Sequence, residues 1–135
     1  MDIEIRKYKD SDLERVNEIL EESFQITKSQ IVGDDFFEIV AIEDNTVVGY
    51  LLLTRVLNPI RNIYYYNVDY VCVDSRYRGH EIGKKMLDYA YTLAKKNGVI
   101  YLQLTCSRFR EAAHKLYEKC EYVKRDSDIY RKDIL

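Results

Sequence analysis

The stretch VCVDSRYRGHEIGKKML, residues 71–87, is where this chain concentrates groups able to do chemistry. An apolar run ends at Asp74, a loop carrying Gly79 and Gly83 follows, and a helical period begins at Ile82. The first turn of a helix leaves backbone N–H groups without intrahelical partners and carries the positive end of the helix dipole. Glycine lets such a backbone approach a ligand closely, and Arg78 and Lys84 add positive charge. Together these make a site for a phosphorylated ligand. The spacing is not that of a Walker loop, since Gly79 and Gly83 stand too close and no Lys-Ser/Thr pair follows correctly; nor is it the dinucleotide pattern GxGxxG. A plain loop before a helix, with Gly79 as a turn residue, is the alternative that the residues alone leave open.

The hydropathy pattern predicts the frame that holds these groups. Ile3 and Ile5 alternate with charge as a short opening strand. Ser11 with Glu14 three residues on has the form of a capping box, and Leu13, Val16, Ile19, Leu20 and Phe24 follow at helical spacing. The β-branched and aromatic run 36–42 and the run 47–56, joined by Asp44-Asn45-Thr46, predict a hairpin that ends at Asn58-Pro59. Residues 63–73 read as a long strand. Ile82, Met86, Leu87, Ala90, Leu93 and Ala94 predict an amphipathic helix, closed by Asn97-Gly98 with Lys95 and Lys96 in its last turn. Residues 99–105 read as another strand, and Ala112, Ala113, Leu116 and Tyr117 as a short helix. Tyr122-Val123 and Ile129-Tyr130 read as a closing hairpin around Asp126-Ser127-Asp128. The fold class is mixed α/β, with a right-handed parallel crossover between residues 63 and 105 and antiparallel pairing elsewhere.

With 135 residues the chain is expected to form one domain, 1–135, with no linker. Hydrophobic residues at 47% and charged residues at 33% exclude a disordered chain. Lys plus Arg number 21 and Asp plus Glu 23, a net charge of −2 with no basic block, which argues against electrostatic nucleic-acid binding as the main task. No apolar run approaches the roughly 18 residues that a membrane span needs. The charged start Met1-Asp2-Ile3-Glu4 lacks a signal-peptide core, so the expectation is a reduced, cytoplasmic domain. Cys72, Cys106 and Cys120 match no zinc pattern, and His80 and His114 have no ligand spacing, so no metal is expected. Cys72 and Cys106 fall in apolar strands and are expected as buried small residues.

Two motifs resemble those of a known family. Arg78-Gly79-His80-Glu81-Ile82-Gly83 is similar to the Arg/Gln-x-x-Gly-x-Gly/Ala loop of the GNAT acyltransferase superfamily, and Val71-Cys72-Val73-Asp74 resembles the family strand that pairs with the pantetheine arm. Residues 110–122, REAAHKLYEKCEY, resemble the second signature, where an Asn or Arg, an Ala and an aromatic-Tyr-x-Lys run precede a Gly-aromatic pair. The motifs stand in the family order, separated by a strand, and the resemblance covers essentially the whole chain. It implies a GNAT-type N-acyltransferase fold, a central mixed sheet flanked by helices. It also implies acetyl transfer from acetyl-CoA, as co-substrate, to an amine that attacks the thioester directly. Two positions depart from the pattern: Glu81 and Glu121 stand where Gly is usual. An exposed carboxylate beside a pyrophosphate repels it weakly; Glu121 costs roughly 1 kcal/mol if its backbone needs a positive φ.

The resemblance assigns roles residue by residue. Backbone groups of Val71, Cys72 and Val73 and the loop residues Arg78, Gly79, His80, Glu81, Ile82, Gly83 and Lys84 hold the carrier, with Arg110 and Ala113 beside it. A backbone N–H near Val73 polarises the thioester carbonyl. Tyr117 matches the general acid. Its ordinary pKa of about 10 exceeds a thiol's of about 8.5, so complete proton transfer is uphill by about 2 kcal/mol, and the expected role is a hydrogen bond to the departing sulfur. Against this, a chain with 13 Tyr offers many tyrosines that simply pack in a core. Asp69 stands where many members carry a Glu. Direct deprotonation of an amine of pKa about 10.4 by an ordinary carboxylate is uphill by roughly 9 kcal/mol, so Asp69 works through ordered water or after attack, or else only orients the substrate. Period two puts Asp69, Val71 and Val73 on one face. Arg110 replaces a common Asn; it contacts the pantetheine or a CoA phosphate, or is a solvated helix-start residue.

The acceptor pocket is expected from the first helix, residues 27–35 and residues 58–66. Tyr64, Tyr65 and Tyr66 offer faces to a cation, and Asp34, Asp35 and Glu38 hint at a cationic acceptor. The expected partners are a small-molecule or peptide amine, with no nucleic acid and no membrane, and a homodimer through the C-terminal strands as an option. The rival readings are a non-catalytic acyl-CoA-binding sensor, motivated by Glu81 and Glu121, and a partner-binding module.

Overall fold

Two apolar helical stripes, one on each face of a single sheet, organise this molecule. The computed structural model describes Met1 to Leu135. In chain order the elements are β1 (Ile3–Lys7), α1 (Leu13–Phe24), β2 (Phe36–Glu43), β3 (Thr46–Asn58), β4 (Ile63–Val73), α2 (Ile82–Lys96), β5 (Leu102–Gln103) and α3 (Glu111–Lys119), with 3-10 turns at Asp10–Asp12 and Ser75–Tyr77. The strands form one five-stranded sheet in the order β1-β2-β3-β4-β5. All neighbours are antiparallel except β4 and β5, which are parallel. Ile82, Met86, Leu87, Ala90, Leu93 and Ala94 of α2 cover one face, over Ile39, Ala41, Val48, Leu51, Leu53, Tyr66 and Val68. Val16, Ile19 and Leu20 of α1 cover the other, over Val40, Ile42, Val47, Tyr50 and Cys72. Covered on both sides, β2 and β3 carry apolar runs over residues 39–42 and 47–53. Asp44 and Asn45 close the β2–β3 hairpin in left-handed conformation, at φ 47° and 62°, which short polar residues tolerate. No helix is long and apolar enough to cross a membrane.

The structure corrects three local expectations. α1 starts from Asp12, not from a Ser11 box. The Asp12 carboxylate takes the Lys9 N–H at 2.8 Å and both guanidinium arms of Arg6, so it is already committed to the preceding turn. The predicted strand 99–105 shrinks to Leu102–Gln103. The closing hairpin does not form: Val123 and Tyr130 are 80% and 93% exposed. β5 offers a template only two residues long, and Lys124-Arg125-Asp126 is charged rather than apolar, so neither burial nor a ladder rewards strand pairing there.

A fourth correction bears on the site. β4 pairs Tyr50 with Cys72 but Leu52 with Asp69, so one extra residue is inserted opposite Leu51. Tyr70, at φ 55°, absorbs it. Such a bulge interrupts the two-residue alternation of a strand. Val68 faces α2, and so do Val71 and Val73, whereas Cys72 is buried with α1. Asp69, next to Val68, therefore points to the α1 side and does not share a face with Val71 and Val73.

Candidate active site

The gap begins where β4 and β5 part. They pair only at Tyr66 with Leu102 and Asn67 with Gln103. Beyond Gln103 the strands diverge. The Asp74 N–H donates to the Val48 carbonyl at 2.8 Å, so alternation turns Cys72 toward β3 and leaves the backbone groups of Val71 and Val73 facing the gap. Cys72 faces away from this gap. Its backbone belongs to the β3 ladder, its side chain is buried, and burial pushes its thiol up to about 12.

A cavity of about 230 Å³ lies in the gap. Asp69, Tyr70 and Val71 of β4 form one wall, Thr105 and Cys106 another, and Phe24, Arg110 and Tyr117 close it. Of the residues expected to do chemistry, Tyr117, Asp69, Val71 and Arg110 thus come together. Ala113 and loop residues 78–84 lie outside the cavity. Burial raises the Tyr117 pKa above its ordinary 10, opposed by the charge of Arg110; the hydroxyl keeps its proton at neutral pH and is available as a donor. Asp69 accepts the Asn67 amide N–H on Oδ2 at 2.7 Å, which leaves Oδ1 open. The Arg110 guanidinium sits 5.3 Å above the Phe24 ring, and Phe24 meets Tyr70 in a T-shaped pair at 5.4 Å. Cys106 is half-buried and lies past the end of β5, not inside an apolar strand as expected.

The glycine loop prepares the second half of the site. The first intrahelical bond of α2 runs from Lys85 N–H to the Glu81 carbonyl, so the N–H groups of Ile82, Gly83 and Lys84 have no helical acceptor. Gly79 is left-handed at φ 86°. At Gly83 a Cβ would stand 3.0 Å from Leu116 Cδ2, so a bare Cα brings the start of α2 against α3. Glu81 and Glu121 are both left-handed, at φ 60° and 66°; these are the two positions where glycine was the expectation. The Glu81 carboxylate pairs with Lys119 of α3, whose hydrogen bond and charge hold its pKa below the ordinary value. Lys84 is tied to Asp88 one turn on, at 2.7 Å.

An ionic anchor beneath the loop escaped sequence reasoning. Asp74 is buried and accepts Arg15 of α1 at 2.5 Å, together with the Arg76 side chain and N–H. The Arg76 hydrogen bond, reinforced by Arg15, holds its carboxyl far below the usual range against the opposing effect of burial. Glu22 takes both the N–H and the hydroxyl of Ser75 at 2.8 Å. Asp74-Ser75-Arg76 after a strand is a visible Asx-turn signal; the partners on α1 are not.

Of the expected acceptor wall, Phe24 of the first helix lines this cavity, and residues 27–35 and 58–66 do not. Tyr66 is core, its hydroxyl accepting from Asn97 at 2.7 Å. Tyr65 stacks on Tyr101 at 4.8 Å, and Tyr64 carries Arg55 over its ring. Asp35 is paired with Arg55, and Glu38 with Lys28 at 2.9 Å and the Tyr50 hydroxyl at 2.7 Å. The three tyrosines in sequence, and the carboxylates of Asp35 and Glu38, are thus engaged in packing and internal pairing. No group of His, Cys, Asp and Glu side chains converges as a metal-ligand set.

A five-stranded mixed sheet that splays between its parallel strands, with helices on both faces, defines the class as the GNAT-type acyltransferase fold. Solved structures share it. An aminoglycoside acetyltransferase from an uncultured soil metagenomic sample superposes with a TM-score of 0.85 at 16% identity, over 98% of this chain and 96% of that one. A ribosomal-protein-alanine N-acetyltransferase from Brucella melitensis biovar Abortus 2308 gives 0.83 at 21% identity, over 98% and 99%. Glucosamine-6-phosphate N-acetyltransferase from Arabidopsis thaliana gives 0.78 at 23%, over 98% and 99%. No curated protein matches the chain in sequence. The chain belongs to the acetyltransferase (GNAT) family, whose model matches residues 4–122.

Proposed function

We propose that the protein transfers an acetyl group from acetyl-CoA to an amine of a small-molecule or peptide acceptor. The observation that carries this reading is the meeting of Tyr117, Asp69 and the open edge of β4 in one gap. The gap suits an extended carrier arm, because the backbone groups of Val71 and Val73 have no ladder partner on that side. The bare amides of Ile82, Gly83 and Lys84, with Arg78 beside them, suit a pyrophosphate. Three solved relatives are named for work on aminoglycosides, a ribosomal-protein alanine and glucosamine-6-phosphate, which supports an amine as nucleophile.

Acetyl-CoA supplies a thioester activated for acyl transfer. Val71 and Val73 orient that arm, and a Val71 or Val73 N–H polarises the acyl carbonyl. As the C–N bond forms and the C–S bond breaks, the amine proton leaves toward the open Oδ1 of Asp69 through water. Tyr117 donates its O–H to the sulfur that departs with the electron pair. Holding the two reactants in one cleft contributes several kcal/mol by proximity. Pairing of the Glu81 carboxylate with Lys119 weakens one of the two motives for the sensor reading, the other being Glu121.

A thiol-release assay over polyamines, aminoglycosides, amino acids and peptides tests the proposal, alongside calorimetry with coenzyme A. Acceptor-dependent thiol release is the expected result. No carrier binding at about millimolar concentration would sink it.

A further inference from the structure

Glu81 holds a backbone conformation that disfavours a side chain, and its side chain shows what that conformation serves. At φ 60° it is left-handed, a strained geometry for a residue with a Cβ. It directly precedes Ile82, Gly83 and Lys84, whose N–H groups open α2. From there its carboxylate reaches Lys119 in the last turn of α3, 38 residues on in the chain. The hydrogen bond and charge of Lys119 hold that carboxyl below its ordinary pKa, so it is ionised at neutral pH. Glycine at this position would relieve the strain and forfeit the bridge.

The helix at the other end of the bridge is thinly held. None of the residues of α3 is buried. Leu116 rests on the bare Cα of Gly83, and Lys119, three residues further along the same helix face, reaches Glu81. Elements with few buried contacts open most readily. Tyr117 sits on this helix, two residues before Lys119. The bridge therefore runs from the residue that introduces the bare amides of α2 to the helix that carries the Tyr117 hydroxyl.

We propose that Glu81 and Lys119 are positioning residues: their bridge fixes α3 against the glycine loop, and so sets the Tyr117 hydroxyl at a defined distance from the amides that take the carrier's pyrophosphate. This rests on the acyl-transfer reading and deepens it. Both partners are 55% exposed, and an exposed ion pair contributes little to global stability. Its effect falls on placement instead, where a small displacement of a reacting group is costly in rate.

Four variants of the full chain test this: Glu81→Gln, Lys119→Met, the two together, and the exchanged pair Glu81→Lys with Lys119→Glu. Hydrogen exchange reads the α3 amides. Calorimetry reads acetyl-CoA binding. Thiol release at saturating acetyl-CoA reads turnover, with hydroxylamine as the probe amine because it is neutral at pH 7 and small enough to need no recognition. Each single variant is expected to speed α3 exchange about three- to fivefold and to lower turnover about three- to tenfold. The double variant should be no worse than either single one, and the exchanged pair should recover most of both losses. The acetyl-CoA Kd should move by less than about threefold and in opposite directions, tighter without the Glu81 anion and weaker without the Lys119 cation. A shared fall in turnover with opposed shifts in Kd separates positioning from a charge effect on the carrier. Losses that add in the double variant, or an exchanged pair no better than the singles, would overturn the inference. So would Lys119→Met that weakens acetyl-CoA more than about tenfold and spares turnover, which would assign Lys119 to the carrier. Faster α3 exchange with turnover unchanged overturns this inference alone, whereas failure of the parent to bind acetyl-CoA defeats the transfer reading on which it rests.

Discussion

Tyr117 is the residue on which the proposed chemistry turns, and burial decides the protonation form it offers. Its raised pKa keeps the hydroxyl protonated, so in the proposed reaction it is a donor to the leaving sulfur and not a base. Tyr117→Phe is expected to lower turnover about ten- to a hundredfold with carrier affinity nearly unchanged, read by steady-state rates and calorimetry. The sign of the shift also predicts the pH profile: a Tyr117 hydroxyl that ionises above its ordinary value causes no fall in kcat between pH 7 and about 10. A second residue-scale feature is the pair of left-handed glutamates. The family motif marked Glu81 and Glu121 as standing where glycine is usual, and both have positive φ. The cost of a Cβ in that region is about 1 kcal/mol, so Glu121→Gly is expected to raise stability by up to about that amount in chemical denaturation. What the motif did not reveal is Lys119 as the partner of Glu81, because pairing between α2 and α3 depends on how the helices cross.

At the level of elements, periodicity located the strands and helices well and missed what happens inside β4. The run of Tyr, Ile and Val predicted the strand with its observed limits, Ile63–Val73. Nothing in it marks Tyr70 as left-handed, since an aromatic residue is an unexpected occupant of that conformation. The bulge moves Asp69 off the Val71 face while keeping it on the rim of the cavity. The last strands failed for a different reason: apolar pairs such as Ile129-Tyr130 have strand propensity, but the short β5 gives them no edge to extend. The α2–α3 contact offers the sharpest test at this scale. Gly83→Val forces a side chain into the space held by Leu116, and is expected to cost about 1–3 kcal/mol in thermal or urea unfolding. Leu116→Ala in the same chain should recover part of that loss; strictly additive losses would mean the two positions are not in contact.

Across the whole molecule, the Asp74 anchor couples the helix on one face of the sheet to the loop at its edge. Arg15 and Asp74 lie 59 residues apart in the chain, a separation that no local pattern can reveal. Sequence reasoning recovered the mixed sheet, both covering helices and the loop that opens α2, but not the ionic ties that set α1 against that loop. Asp74→Asn removes the partner of a half-buried guanidinium and is expected to cost about 2–3 kcal/mol at neutral pH. The folded-state pKa of Asp74 lies below the ordinary 3.8. Its contribution is therefore whole above that value and is lost as pH falls beneath it. The variant should show a flatter loss of stability below about pH 4 than the parent in melts across that range.

A crystal structure with acetyl-CoA bound tests the central claim most directly. The carrier arm should lie along Val71 and Val73, its pyrophosphate on the N–H groups of Ile82, Gly83 and Lys84, and its sulfur within about 3.5 Å of the Tyr117 hydroxyl. Acetyl-CoA held elsewhere on the molecule, with the space between β4 and residues 104–106 left vacant, would contradict it.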